Sequence, residues 1–109
     1  MRILVDLDGV LCEQCPVGNT VQMALANPIT HNIELLRYVK RNNEIVIYTA
    51  RLGQKLDSKT PSEEAVTKLW LDKHGIPYDS LVFDKPWCDY LVDDRATTLE
   101  DLCTKISQQ

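Results

Sequence analysis

The sequence predicts an α/β fold built on a mainly parallel sheet, and three observations carry that prediction. Short β-branched runs alternate along the chain with segments whose apolar residues recur at helical spacing. Proline, glycine and capping residues punctuate the joints between them. Finally, 109 residues with 44% apolar content suffice for one core and are too few for two, so residues 1–109 read as a single domain.

Residues 2–7 ("RILVDL") read as a fully buried strand. Pro16, Gly18 and Pro28 make residues 12–28 irregular, although "VQMALA" has the composition for one or two helical turns. So long a segment directly after Asp6-Leu7-Asp8 reads as a flap rather than a linker. Ile33, Leu35, Leu36 and Val39 predict a helix over about 30–42, and "IVIYT" at 45–49 supplies a second strand, which completes a β-α-β unit. Thr60-Pro61-Ser62-Glu63 reads as a capping box with proline at the first helical position, and Gly75 stands where a C-terminal cap belongs. That helix carries Val66, Leu69 and Trp70 on one face. Residues 80–84 ("SLVFD") and 90–92 ("YLV") read as further strands. Thr97-Thr98-Leu99-Glu100 opens a last helix with Leu99, Leu102 and Ile106 inward.

Composition narrows the function. The net charge is −4 and no run of Lys or Arg forms a stripe for a phosphate backbone, which argues against nucleic-acid binding. One Arg and three apolar residues precede Asp6, so no signal-peptide core is expected, and no run approaches membrane-spanning length. A soluble, cytoplasmic protein is the expectation. Cys12, Cys15, Cys88 and Cys103 have neither the density nor the spacing of a secreted disulfide scaffold. Cys12 and Cys15 form one C-x-x-C, half of a zinc site or a redox pair, but no second half completes it, and reduced thiols in a loop are the plainer expectation.

In open α/β sheets ligands bind beyond the carboxyl ends of the strands. There this sequence places Asp6-Leu7-Asp8-Gly9, then Thr49-Ala50-Arg51, then Lys85, and last Asp93-Asp94-Arg95. Carboxylates so crowded repel one another, and hard oxygen ligands suit magnesium far better than zinc. Beside them, the Thr49 hydroxyl and the Lys85 ammonium suit an anion, and an anion that also bridges magnesium is most simply a phosphate.

These four elements, "DLDGV" from Asp6, "TAR" from Thr49, Lys85, and "VDD" ending at Asp94, resemble in kind and order the signature of the haloacid dehalogenase-like superfamily of phosphotransferases. The run "DKPWCDYLVDDRA" is also similar to small bacterial phosphatases associated with capsular polysaccharide gene clusters. The resemblance implies a Rossmann-like core, a mainly parallel sheet flanked by helices, and no cap domain. It makes Asp6 the nucleophile and Asp8 the acid that protonates the leaving oxygen and later deprotonates water. It assigns magnesium to Asp6, the Asp8 main-chain carbonyl and Asp93, with Asp94 a ligand or a neighbour of one. Thr49, Lys85 and the N–H groups of Leu7 and Ala50 would bind phosphoryl oxygens, and Gly9 would permit the tight turn. Arg51 has no fixed family role, and stands as a leaving-group contact or as the partner of an acid.

The implied activity is a magnesium-dependent phosphomonoesterase acting through an aspartyl-phosphate, on a phosphorylated sugar if the finer resemblance holds. A nucleotide phosphatase and a non-hydrolytic phosphate- or metal-binding signalling module are the alternatives. Without a cap, an open site either takes a bulky ester or is closed by a neighbouring subunit in a homo-oligomer. Trp70 and Trp87 are expected to be packed aromatics, and His31 and His74, at helix ends, carry no expected catalytic role.

Overall fold

Among the described residues the chain folds around a sheet of three parallel strands flanked by helices. The structure is a computed structural model and describes residues 1–16, 18–53 and 62–108. In chain order the elements are β1 (Arg2–Val5), α1 (Thr20–Ala24), α2 (Thr30–Lys40), β2 (Glu44–Tyr48), α3 (Glu63–Lys73), β3 (Ser80–Val82) and α4 (Leu99–Ser107). The sheet order is β1-β2-β3, with Leu4 opposite Val46 and Ile47 opposite Leu81. Parallel neighbours need a crossover, and α2 and α3 supply the two.

Ile45, Val46 and Ile47 are all buried, so β2 is covered on both faces, as a continuous apolar run at the centre of a parallel sheet requires. Leu36, Val39, Leu71 and Trp70 join them in the core, where α1 packs on α3 and α2 on α4. β1 is not the fully buried strand expected from its composition. Among the described residues it pairs with β2 alone, and Leu4 is 57% exposed. Among the described residues no helix is long and apolar enough to cross a membrane.

The expected strand at 90–92 is absent, and every residue from Pro86 to Thr98 is exposed, Val92 at 97%. Three apolar residues between Asp89 and Asp93-Asp94 are too few to bury a face, and the run joins no ladder. Trp87, expected to pack, is exposed with it.

Helix ends follow the sequence more closely. Gly75, in the left-handed region at φ 61°, ends α3 as its composition suggests. At the other end the cap is Ser62, whose hydroxyl accepts from the Ala65 N–H at 3.0 Å, so α3 begins after Ser62. Thr60 and Pro61 of the expected capping box lie outside the described residues. The inner face of α3 is also turned from the one expected: Glu63, Thr67, Trp70 and Leu71 are buried, whereas Leu69 is exposed. α4 starts on Thr98, whose hydroxyl accepts from the Asp101 N–H, and sets Leu99, Leu102 and Ile106 inward.

The start of β3 is pinned by a side chain. Asp79 Oδ2 accepts from the Ile45 N–H at 2.7 Å, and Lys40 Nζ lies 3.3 Å from its Oδ1. The Ile45 N–H first, and Lys40 after it, hold this carboxyl below its ordinary value of 3.8. A lowered carboxyl contributes stability above its unfolded value and loses it as pH falls through the folded one. Wild type is therefore expected to resist urea better than Asp79→Ala at neutral pH, with the difference closing on acidification below pH 3.8. A gap that persists in acid would mean that the carboxylate charge is not the cause.

Candidate active site

Because all three strands run parallel, their carboxyl ends share one edge, and the residues there come together through a tight turn after β1. Three main-chain N–H groups, of Val10, Leu11 and Cys12, converge on the Leu7 carbonyl at 2.9–3.3 Å. Gly9 donates to the Cys12 carbonyl at 2.7 Å with φ 86°, and a Cβ at this position would lie 2.6 Å from Gln14 Nε2. The handedness is what calls for glycine here, since a Cβ would meet only the end of the flexible Gln14 side chain. The turn leaves the Asp6 and Asp8 carboxylates at the sheet edge while burying Leu7 between them.

Lys85 arrives from the end of β3 without a helix. The Lys85 N–H donates to the Thr49 carbonyl at 2.9 Å and the Asp84 N–H to the Arg51 carbonyl at 3.0 Å. Between these bonds the chain turns at Asp84, at φ 64°, an uncommon conformation for which aspartate is among the better-suited residues. The result is Lys85 Nζ 3.8 Å from Asp6 Oδ2 and 5.7 Å above the centre of the Tyr48 ring. The Asp6 side chain is 40% exposed, so this pair faces solvent.

Asp8 has a different partner. Arg51 Nη2 donates to Asp8 Oδ1 at 2.7 Å and Nε to Oδ2 at 3.0 Å, a two-pronged pairing that fits the planar guanidinium. Arg51 Nη1 donates to Thr67 Oγ1 at 2.9 Å, and the Cys12 and Cys15 sulfurs lie 3.7 and 3.9 Å from Nη2. The Arg51 side chain is only 2% exposed. Burial works against its charge, yet the hydrogen bonds and the charge of Asp8 hold it above its usual value. Thr49 is buried too, and its hydroxyl accepts from the Arg51 N–H at 3.2 Å. The two carboxylates after β1 are thus each met by a cation of the protein itself, one half-buried and one fully buried.

Of the sequence-predicted residues, Asp6, Leu7, Asp8, Thr49, Ala50, Arg51 and Lys85 stand at this one edge. The Leu7 N–H already donates to Asp6 Oδ1 at 2.8 Å. Asp93 and Asp94 are not brought to it. Both lie on the exposed stretch after Lys85, where Asp93 Oδ1 accepts from the Arg95 N–H. As to a cation, the exposed Asp6 carboxylate and the Asp8 carbonyl are hard oxygen donors suited to magnesium. Among the described residues, the one group of three metal-binding side chains within 4.8 Å of one another is Asp8, Cys12 and Cys15. Thiols do not suit magnesium, and here burial first, and then the Asp8 charge, push both Cys12 and Cys15 up and keep them protonated. Arg51 already supplies the positive charge among them.

No protein-family model matches the chain, and no curated protein matches it. A solved structure does: the crystal structure of a target protein from Vibrio cholerae is 34% identical, covers 98% of this chain and 94% of its own, and superposes with a TM-score of 0.73. The two chains belong to one family. Its α/β architecture therefore extends over nearly the whole length of both proteins, and what the Vibrio cholerae protein is called names no activity.

Three members of the cluster were not assigned a place in it by sequence reasoning. Thr67 was hidden because Val66 and Leu69 suggested another inner face for α3, and the signal that finds it is the i, i+4 pair of Glu63 and Thr67 turned inward together. Cys12 and Cys15, expected to be reduced thiols of a loop or else half of a zinc site or redox pair, carry nothing in their spacing that points to Arg51.

Proposed function

We propose that this protein is a magnesium-dependent phosphomonoesterase of the haloacid dehalogenase-like type, with a phosphorylated sugar as the substrate class. The observation that carries the reading is the approach of Lys85 Nζ to Asp6 Oδ2 at 3.8 Å, with Asp8 in the same turn. A lysine beside an exposed carboxylate at the strand ends suits an anion that must come close to that carboxylate.

In this reading an Asp6 oxygen attacks phosphorus, the ester oxygen leaves, and Asp8 supplies its proton. Water then attacks the phosphorus of the aspartyl-phosphate, Asp8 takes the proton, and inorganic phosphate departs with Asp6 restored. Lys85, the Thr49 segment and the N–H groups of Leu7 and Ala50 orient the phosphoryl oxygens. The Asp6 carboxylate and the Asp8 carbonyl would hold one magnesium ion, whose charge would offset the repulsion between a carboxylate and a phosphoryl anion. Asp93 and Asp94, which the resemblance also assigns to it, stand away on the exposed stretch after Lys85. The strand edge, where the Asp6 side chain is 40% exposed, fits an ester as bulky as a sugar phosphate or closure by a second subunit.

The test is phosphate release from a panel of hexose phosphates, nucleotides and an aryl phosphate, with magnesium and with EDTA. Magnesium-dependent release, fastest from a sugar phosphate, is the expected result. Preference for mononucleotides would make it a nucleotide phosphatase. Activity undiminished by EDTA would remove the metal from the reading, and no release from any ester by folded protein would leave the non-hydrolytic binding module.

A further inference from the structure

Arg51 was expected at the substrate or paired with an acid, and its surroundings decide between those roles. We infer that Arg51 is a positioning residue for Asp8, and that Thr67 of α3 acts through Arg51 to fix the direction of the Asp8 carboxylate. The consequence for turnover rests on the phosphomonoesterase reading; the geometry does not.

Three of the five guanidinium N–H groups donate to oxygen, two to the separate oxygens of Asp8 and one to Thr67, at 2.7, 3.0 and 2.9 Å, and Nη2 also faces the Cys12 and Cys15 sulfurs at 3.7 and 3.9 Å. Two bonds to one carboxylate fix its plane as well as its place, and the third fixes the plane of the guanidinium to α3. The main chain of Arg51 is held as well. Its N–H meets the Thr49 hydroxyl at 3.2 Å and its carbonyl accepts from Asp84 at 3.0 Å, so the clamp is built on the same strand ends that deliver Thr49 and Lys85. The Cys12 thiol, 3.5 Å from Asp8 Oδ1, closes a further side. The Arg51 side chain is 2% exposed and Thr67 fully buried, so among the described residues Arg51 has no open path to an ester at the sheet edge, whereas the Asp8 side chain keeps 20% of its surface open. Arg51 therefore reaches the reacting atoms only by way of Asp8.

A misdirected acid harms most the esters whose alcohols leave poorly, since a good leaving group departs without a proton. Thr67→Val and Arg51→Lys are expected to lower kcat/KM about 100-fold on a hexose phosphate, the scale of a displacement of about 1 Å, and no more than about tenfold on p-nitrophenyl phosphate. This constant ends at departure of the alcohol and leaves out the shared opening of the aspartyl-phosphate. Thr67→Ser, which keeps the hydroxyl, restores the wild-type ratio of the two rates. Equal losses on both esters or faster turnover would each overturn the inference. A crystal structure of Thr67→Val decides the same point without turnover. Asp8 is expected there to leave the orientation seen in wild type while the turn at Gly9 is unaltered, and an unmoved Asp8 carboxylate overturns the inference whether or not the protein hydrolyses esters. Absence of phosphate release by wild type would instead bring down the phosphomonoesterase reading alone.

Discussion

As the proposed phosphomonoesterase, Asp6→Asn protein is expected to release phosphate about 10³-fold more slowly than wild type, or slower still, and to melt at nearly the same temperature. An amide oxygen is far less nucleophilic than a carboxylate and forms no acyl phosphate that water can open, so the covalent route is closed. The fold has little at stake in the charge. Asp6 is 40% exposed and its ion pair with Lys85 spans 3.8 Å, a geometry that contributes little to stability in water. Phosphate release and a thermal melt on the same preparation check both halves. Substantial activity in Asp6→Asn would move the nucleophile elsewhere, and a large drop in melting temperature would make Asp6 a residue of the fold rather than of the chemistry.

Trp70→Ala carries the largest expected loss of stability. The ring is 2% exposed, packs with its centroid 4.4 Å from that of His74, and donates from Nε1 to the Ala26 carbonyl at 3.0 Å. Removing so large a buried side chain costs about 3–5 kcal/mol, against a total of roughly 5–15 kcal/mol for an ordinary domain. Trp70→Phe keeps most of the apolar area but leaves the Ala26 carbonyl without its donor, at about 1–3 kcal/mol. Urea unfolding of the three proteins measures both terms. The bond ties α3 to the segment expected to be a flap, so a cost below about 1 kcal/mol for Trp70→Ala would show that residues 12–28 are not fastened through this ring.

That segment illustrates how far the sequence could be read. Its irregular punctuation was plain, but Met23 and Ala26 are buried and Ala26 accepts from Trp70, contacts between residues 44 apart that no local pattern announces. Strands β1, β2 and β3 and helices α2, α3 and α4 were legible because apolar period and caps are local signals. Phase was harder than period. In α3 the inward positions include Glu63 and Thr67, whose polarity reads as surface until Arg51 is seen beside Thr67. Burial was misjudged for the same reason at β1 and at 90–92, where apolar composition shows what a residue tolerates and not whether a neighbour covers it. At the candidate site the meeting of Asp6 and Lys85 followed from strand ends alone. The clamp on Asp8 did not, because Arg51 and Thr67 are ordinary residues until a buried charge requires both.

The backbone at Asp84 sets a rule for which sequences can preserve this site. Its left-handed turn, at φ 64°, is what lets two successive N–H groups meet the Arg51 and Thr49 carbonyls and sends Lys85 toward Asp6. Position 84 is therefore filtered by chirality before charge. Glycine and asparagine pass, whereas valine or isoleucine must pay in strain for the same turn. A descendant of this chain that drifted to a β-branched residue there would keep every charged group of the site and still misplace its lysine.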